Sequence, residues 1–309
     1  MRRLIITGNG LGMALDPERF SLKNAIEAVW SADNSIPKWD SSGTYRSIIE
    51  QCLGSDGAPT GEDQLDNLHQ IVSACRFLLE RYSATSEKGA ILSDAGQGFP
   101  EALDAFIHQV ARRLYAESRD GKVAGATPKY EEFCNALKAY LDENLVDLAT
   151  LNYDGLLYIP FLRTSVFDGM RGRLVDGVVR GVGFSEGILS KDRGSYMHLH
   201  GSPLFYGEDG RVHKASTDAY DVVYQSTVDE DGTFQVVPID KAPKVGRHLV
   251  LTHVKHKMSV IEGSSILSAY WRHLNLCLEE ADEVILFGYS GCDEHLNERI
   301  RPHKKPLRI

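Results

Sequence analysis

Residues 146–158 read V-D-L-A-T-L-N-Y-D-G-L-L-Y, and this stretch decides the fold. A short apolar run stops abruptly at Asn152, Tyr153, Asp154 and Gly155, and a second apolar run follows. Such a run with a polar tip reads as a buried strand of a parallel sheet. In an open α/β sheet, ligand chemistry collects just past the carboxyl ends of the strands. Asn152 and Asp154, an amide and a carboxylate two positions apart at such an end, suit one pocket.

Working outward, Leu4-Ile5-Ile6 is a compact apolar run leading into Thr7-Gly8-Asn9-Gly10-Leu11-Gly12. Asp16 and Pro17 then supply an N-cap and a proline for the first helical position. A helix is predicted over 17–30, with Phe20, Ala25, Ile26, Val29 and Trp30 at helical spacing. Strand, glycine loop and helix form the arrangement that holds a diphosphate, because backbone N–H groups approach closely and the helix N-terminus favours negative charge. The loop is G-x-G-x-G, with Met13 where a dinucleotide fingerprint has its third glycine. A tight turn that needs glycines for positive φ is the competing reading. A second unit of the same kind closes the chain. The apolar run 283–287 ends in Gly288-Tyr289-Ser290-Gly291-Cys292-Asp293, and a helix is predicted from near Glu294. Two such units predict an α/β protein with a Rossmann-like, doubly wound parallel sheet.

Between the motifs, residues 31–62 read as loop-rich. Helices are predicted over 64–82, 100–117 and 128–143, with Leu68, Phe106 and Leu137 on their apolar faces. His69 and His108 read as helix-surface or satisfied core histidines. Residues 167–184, with Gly169, Gly172, Gly177, Gly181 and Gly183, read as a hairpin or mobile loop. Residues 195–200 read as a strand ending in His200-Gly201-Ser202. Residues 205–260 turn β-rich. Asp209-Gly210 and Asp231-Gly232 read as turns beside strands at 220–224 and 233–239, with another strand at 248–253. His253 and His256 have no evident third ligand, so that segment reads as basic surface. A helix over 264–280 carries Ile266, Leu267, Tyr270, Trp271, Leu274 and Leu278.

Composition sets outer bounds. The 309 residues are 42% hydrophobic and 25% charged, which suits a sizeable core. A net charge of −9 argues against nucleic-acid binding, and the basic tail 301–308 reads as a solvated terminus. Five cysteines, odd in number and without a C-x-x-C pair, indicate neither a disulfide framework nor a zinc site. They fit a reducing cytoplasm. The apolar run after Met1-Arg2-Arg3 is too short for a signal peptide, and no segment approaches the ~18 apolar residues of a membrane span. A soluble intracellular protein is expected.

Four strand ends now point to one crevice: Gly8-Asn9-Gly10, Asn152-Tyr153-Asp154, His200-Gly201-Ser202 and Gly288-Tyr289-Ser290. Together they resemble a family. T-L-N-Y-D-G-L-L resembles the T-Q-N-x-D-G-L signature of sirtuins, and L-H-G-S their catalytic His-Gly-Ser. G-N-G-L-G stands at the position of the sirtuin phosphate loop. F-G-Y-S-G-C-D-E-H-L resembles the late G-Y-S-x-x-D segment of divergent bacterial sirtuin-like proteins, which hydrolyse NAD in anti-phage defence. Leu151 replaces the signature glutamine, and neither a four-cysteine zinc ribbon nor an acyl-lysine clasp follows His200.

The resemblance implies a single NAD-binding domain over 1–309, with a helical insertion at about 31–145 and a β-rich insertion at about 205–260. It implies NAD as substrate, with no metal. Gly8, Asn9, Gly10 and Gly12 would cradle the diphosphate, Asn152 would orient water or ribose, and Asp154 would hold the nicotinamide carboxamide. His200 would act as general base, a role suited to an imidazole. Gly288, Tyr289, Ser290 and Asp293 would line the adenosine side, with Tyr153 and Gly201 alongside. With no acyl-lysine site, water is the acceptor, giving nicotinamide and ADP-ribose. A homo-oligomer is implied, with a co-encoded ATPase or a phage trigger protein as further partner. The other readings are an assembly subunit that binds NAD or ADP-ribose without turnover, and a deacylase or ADP-ribosyltransferase.

Overall fold

The computed structural model describes residues 1–31, 44–81, 92–118, 128–163, 173–179, 182–189, 192–208, 210–217, 223–228, 234–238, 248–251 and 254–309. Its strands are β1 Arg2–Thr7, β2 Leu145–Thr150, β3 Leu174–Val175, β4 Val178–Val179, β5 Gly183–Phe184, β6 Gly194–His198, β7 Phe205–Glu208, β8 Arg211–Lys214, β9 Ser216–Thr217, β10 Val223–Val228, β11 Phe234–Pro238, β12 Glu283–Phe287 and β13 Leu307–Arg308. A six-stranded sheet in the order β13-β12-β1-β2-β6-β3 forms the centre, and every pairing in it is parallel. Among the described residues, three small antiparallel sheets accompany it.

Both faces of the sheet are covered, which is why its strands read as continuous apolar runs. Leu4, Ile6, Ala149 and Met197 pack with Leu267, Tyr270 and Leu274 of a helix at Ser265–Glu280. Ile5, Leu148 and Tyr196 point the other way, onto Tyr130 and Leu141 of Pro128–Glu143 and Tyr158 and Phe161 of Tyr158–Arg163. The alternation of Leu4, Ile5 and Ile6 between faces is the period-two rule of a strand. A third core joins Ile26, Leu65, Leu68, Phe106 and Val110 of the helical segment to Tyr153 and Leu251 near the sheet end.

The predicted strands at the four motifs are present. A helix, α1 Gly10–Leu15, begins within the glycine loop, and the expected helix over 17–30 is broken into two, α2 Pro17–Phe20 and α3 Leu22–Ser31. Asp16 is extended and caps α2, its Oδ1 accepting from the N–H groups of Glu18 and Arg19, and Ser21 is extended again. The loop-rich segment contains α4 Thr44–Leu53. Next come α5 Glu62–Arg81 and α6 Asp94–Glu117. The latter starts six residues before the expected Pro100, because Ser93 caps it and Phe99 and Pro100 are themselves buried. α7 Pro128–Glu143 matches its prediction, and α8 Tyr158–Arg163 follows the central motif.

The expected hairpin near 174–182 exists as β4–β5, while β3 joins the main sheet. Residues 248–251 form no strand beyond a single bridge from Leu249 to Gly201. α9 Val254–Gly263 stands inside the stretch expected to be β-rich, and α10 Ser265–Glu280 and α11 Glu294–Ile300 follow. The tail is not simply solvated, since β13 pairs with β12 and Arg308 reaches Glu283 at 3.0 Å. The turn at Asp231-Gly232, the glycines Gly169, Gly172 and Gly181, and His253 lie outside the described residues. No helix among the described residues is long and apolar enough to cross a membrane.

Candidate active-site crevice at the carboxyl ends of the strands

From β1 the chain moves to β2 and then β6 on one side, and it returns to β12 on the other side of β1. The gap between the carboxyl ends of β1 and β12 is therefore a topological switch point, the position where open α/β sheets bind ligands. Both strands end in glycine turns, and the turns bond to each other. Gly8 N–H donates to Phe287 O at 3.0 Å, and Gly10 N–H donates to Gly288 O at 2.9 Å. A Cβ at Gly10 would lie 2.5 Å from Gly288 Cα, and Gly288 itself has φ +61°. The sequence reading gave these glycines to a diphosphate. In the fold, the Gly8 and Gly10 amides hold the second turn, and the glycines permit that backbone-to-backbone contact.

β2 delivers Asn152 and Asp154 beside this double turn. The Asn152 backbone N–H donates to Thr150 Oγ1 at 3.1 Å, and its side-chain Nδ2 donates to Gly8 O at 3.0 Å. Asp154 Oδ1 accepts from Leu156 N–H at 3.0 Å. Burial pushes the Asp154 carboxyl up to about 6, and hydrogen bonds from Leu156 N–H and Asn152 offset only part of that rise. The intervening Tyr153 is buried, with its hydroxyl on the carbonyl of Val250.

β6 ends two residues before His200. The His200 carbonyl accepts from Val250 N–H at 2.9 Å, and Gly201 has φ +87° with no room for a Cβ against His248 O. Gly201 thus turns the chain so that the imidazole enters the crevice. His200 Nε2 lies 3.0 Å from Asp293 Oδ2, off the line of a well-directed hydrogen bond. Lys257 Nζ lies 2.9 Å from the same oxygen. Asp293 Oδ1 accepts from Leu296 N–H at 3.2 Å as the N-cap of α11. Burial opposes charge on Asp293, yet the contacts with His200 and Lys257 outweigh it and hold the carboxyl well below its ordinary range. Tyr289 Oη lies 2.9 Å from both Asp293 O and Asn297 Oδ1, which share its one proton, and this stiffens the same turn.

One cavity of about 800 Å³ is walled by Gly8, Asn9, Gly10, Asn152, Tyr153, Asp154, His200, Gly288, Tyr289, Ser290 and Asp293. Gly12 and Gly201 stand off this wall: Gly12 makes room for Phe20 and Asn9, and Gly201 turns the chain at His200. Sequence reasoning missed Lys257 and the apolar side of the cavity, formed by Met13, Phe20, Leu22 and Leu114. Lys257 directly follows the His253–His256 stretch, which reads from sequence as basic surface. Its spacing of four from Ile261 on α9 is the signal that places it on a buried helical face.

Away from the crevice, Asp147, His273 and Cys277 bring three ligand-type atoms within 4.8 Å of one another. Asp147 Oδ2 already meets Arg2 Nε at 2.8 Å, and its Oδ1 accepts from Ser195 N–H at 3.1 Å and Ser195 Oγ at 2.8 Å. Burial and the neighbouring Asp147 carboxylate push the Cys277 thiol far up. A resident guanidinium and a neutral thiol make this an ion-pair cluster in the core, poorly suited to a metal cation.

No protein-family model matches this chain, and no curated protein matches it.

Proposed function

We propose that the crevice binds NAD and that the chain hydrolyses its nicotinamide–ribose bond. The observation that carries this reading is the meeting of Asn152, Asp154 and His200, from two strand ends, with both glycine turns on one cavity at the switch point of a parallel sheet. The resemblance of the same residues to the sirtuin motifs supplies the substrate.

In the proposed reaction, the C1′–N bond of the ribosyl-nicotinamide breaks with its electron pair leaving on nicotinamide. A water oxygen forms the new bond to C1′ and gives its proton to His200, which leaves ADP-ribose. The transition state carries positive charge on the ribose, so the acidic side chains of the crevice favour it. Asn152 spends its Nδ2 on Gly8 O, which leaves its carbonyl oxygen to orient water or a ribose hydroxyl. Asp154, partly exposed to the cavity, receives the carboxamide of nicotinamide. The proposed setting is the cytoplasm, in keeping with five free cysteines. There the chain, as a homo-oligomer activated by a trigger protein or a co-encoded ATPase, would deplete NAD in anti-phage defence.

The test is purified protein incubated with NAD and followed by chromatography, comparing wild type with Asn152→Ala and His200→Ala. Nicotinamide and ADP-ribose from wild type, lost in both variants, support the reading, and equal turnover in all three defeats it. Tight NAD binding by calorimetry with no product, even with partners added, indicates a binding subunit instead.

A further inference from the structure

Three ionisable side chains from three separate elements meet on the crevice floor. His200 follows β6, Lys257 lies on α9 and Asp293 caps α11; they are 6%, 5% and 6% exposed. Burying such groups is costly, and an apolar trio would secure the same packing at no loss of stability. Asp293 lines the cavity, and both of its carboxylate oxygens are engaged by protein groups. Oδ2 is shared between His200 Nε2 at 3.0 Å and Lys257 Nζ at 2.9 Å, and Oδ1 is committed to Leu296 N–H.

We propose that Asp293, held anionic and in place by Lys257, is a positioning residue that fixes His200 in the tautomer carrying its proton on Nε2. That leaves Nδ1 with the lone pair a general base needs. A carboxylate that receives one imidazole N–H determines which nitrogen is basic. The contact is slightly misaligned, as resting-state catalytic hydrogen bonds often are, and it tightens when ligand fills the cavity. The catalytic part of this inference rests on the NAD reading, whereas the tautomer does not. Besides Asp293 and Lys257, the ionisable groups on the cavity wall with His200 are Asp63, Tyr153, Asp154, Tyr289 and Cys292.

The experiment is long-range proton–nitrogen correlation spectroscopy of the full chain carrying ¹⁵N-histidine, with His200→Gln used to assign the signal. The variants are Asp293→Asn, which keeps an N-cap on α11, and Lys257→Met, which keeps the length of the side chain. Wild type is expected to show the imidazole proton of His200 on Nε2, and Asp293→Asn a mixture of tautomers. In Lys257→Met, Asp293 loses the contact that holds it in place, so His200 should likewise show a mixture of tautomers. In turnover, Asp293→Asn should lower kcat by about 10²-fold with KM little changed. Glu294→Gln, on the exposed side of α11, serves as the control and should leave the His200 signals unmoved. An unaltered tautomer in both Asp293→Asn and Lys257→Met overturns the proposal. Absence of NAD turnover in wild type overturns the NAD reading alone, because the spectra are recorded on resting protein.

Discussion

Asn152 Nδ2 donates to the backbone carbonyl of Gly8 at 3.0 Å, joining the polar tip of β2 to the first glycine turn. The residue read from sequence as a catalytic amide is therefore also a strut between two walls of the crevice. Asn152→Ala leaves a buried carbonyl without its donor, which costs about 1–3 kcal/mol. Urea denaturation should show that loss. Asn152→Asp, which cannot donate once ionised, should be at least as destabilised at neutral pH.

The paired glycine turns should tolerate no side chain. At Gly288 an alanine meets both a positive φ and a Cβ 2.9 Å from Gly10 Cα. Gly288→Ala should cost roughly 1–3 kcal/mol or more and open the gap between β1 and β12. Gly291, also at positive φ but with open space around its Cβ, should pay only the conformational part when changed to alanine. Comparing the two by chemical denaturation separates close approach from backbone conformation.

Asp154 gives a pH signature. Its folded carboxyl titrates at about 6, above the unfolded value near 4. Between those two values the folded state binds more protons than the unfolded, so stability from this group declines as pH rises from about 4 to about 6 and is level beyond. Asp154→Asn should flatten that segment of a stability-versus-pH curve and be relatively more stable above pH 6. In NAD or nicotinamide titrations, wild-type affinity should strengthen as the carboxylate forms through pH 6. The asparagine variant should bind with no such dependence.

The Arg2–Asp147–Ser195 cluster lies in the core away from the crevice and should behave as structure alone. Asp147 is fully buried and makes bonds to Arg2 and Ser195. Asp147→Ala leaves a guanidinium without its carboxylate and should destabilise by about 3–5 kcal/mol. If the variant remains folded at low temperature, its ligand affinity should equal that of wild type.

Removing residues 302–309 should expose the edge of β12. β13 covers Val284 and Ile285, and Val284 N–H donates to Pro306 O at 3.0 Å. Unpaired edges of apolar strands template association. The truncated chain is expected to show concentration-dependent self-association by light scattering, with a small loss of stability.

Much of this was legible in the chain. β1, β2 and β12 announce themselves because strands buried between layers are short apolar runs, β6 shows only a brief apolar–polar alternation, and their polar tips mark the ends where ligands bind. The helices α5, α6 and α7 between β1 and β2 were legible from their apolar stripes, whereas α1 and α4 lie in stretches that read as loop. What stayed hidden has a common cause. The break at Ser21, the early start of α6 and the helix α9 depend on what each piece packs against, and local pattern carries no partner. Lys257 looked like surface because a lysine in a basic run usually is. Asp293, arriving from 36 positions later, pairs with it and offsets the cost of its burial.

By itself, the sequence determined an α/β protein with two strand–glycine–helix units and an Asn-x-Asp tip and His-Gly turn between them, because periodicity and turn chemistry are local properties. Tertiary structure alone decided how those parts act on each other. It turned the glycines toward one another instead of leaving them open, made Asn152 a strut as well as a site residue, and gave Asp293 to His200 and Lys257. Those assignments follow from which strands are neighbours in the sheet, and sheet order brings together groups that no local pattern connects.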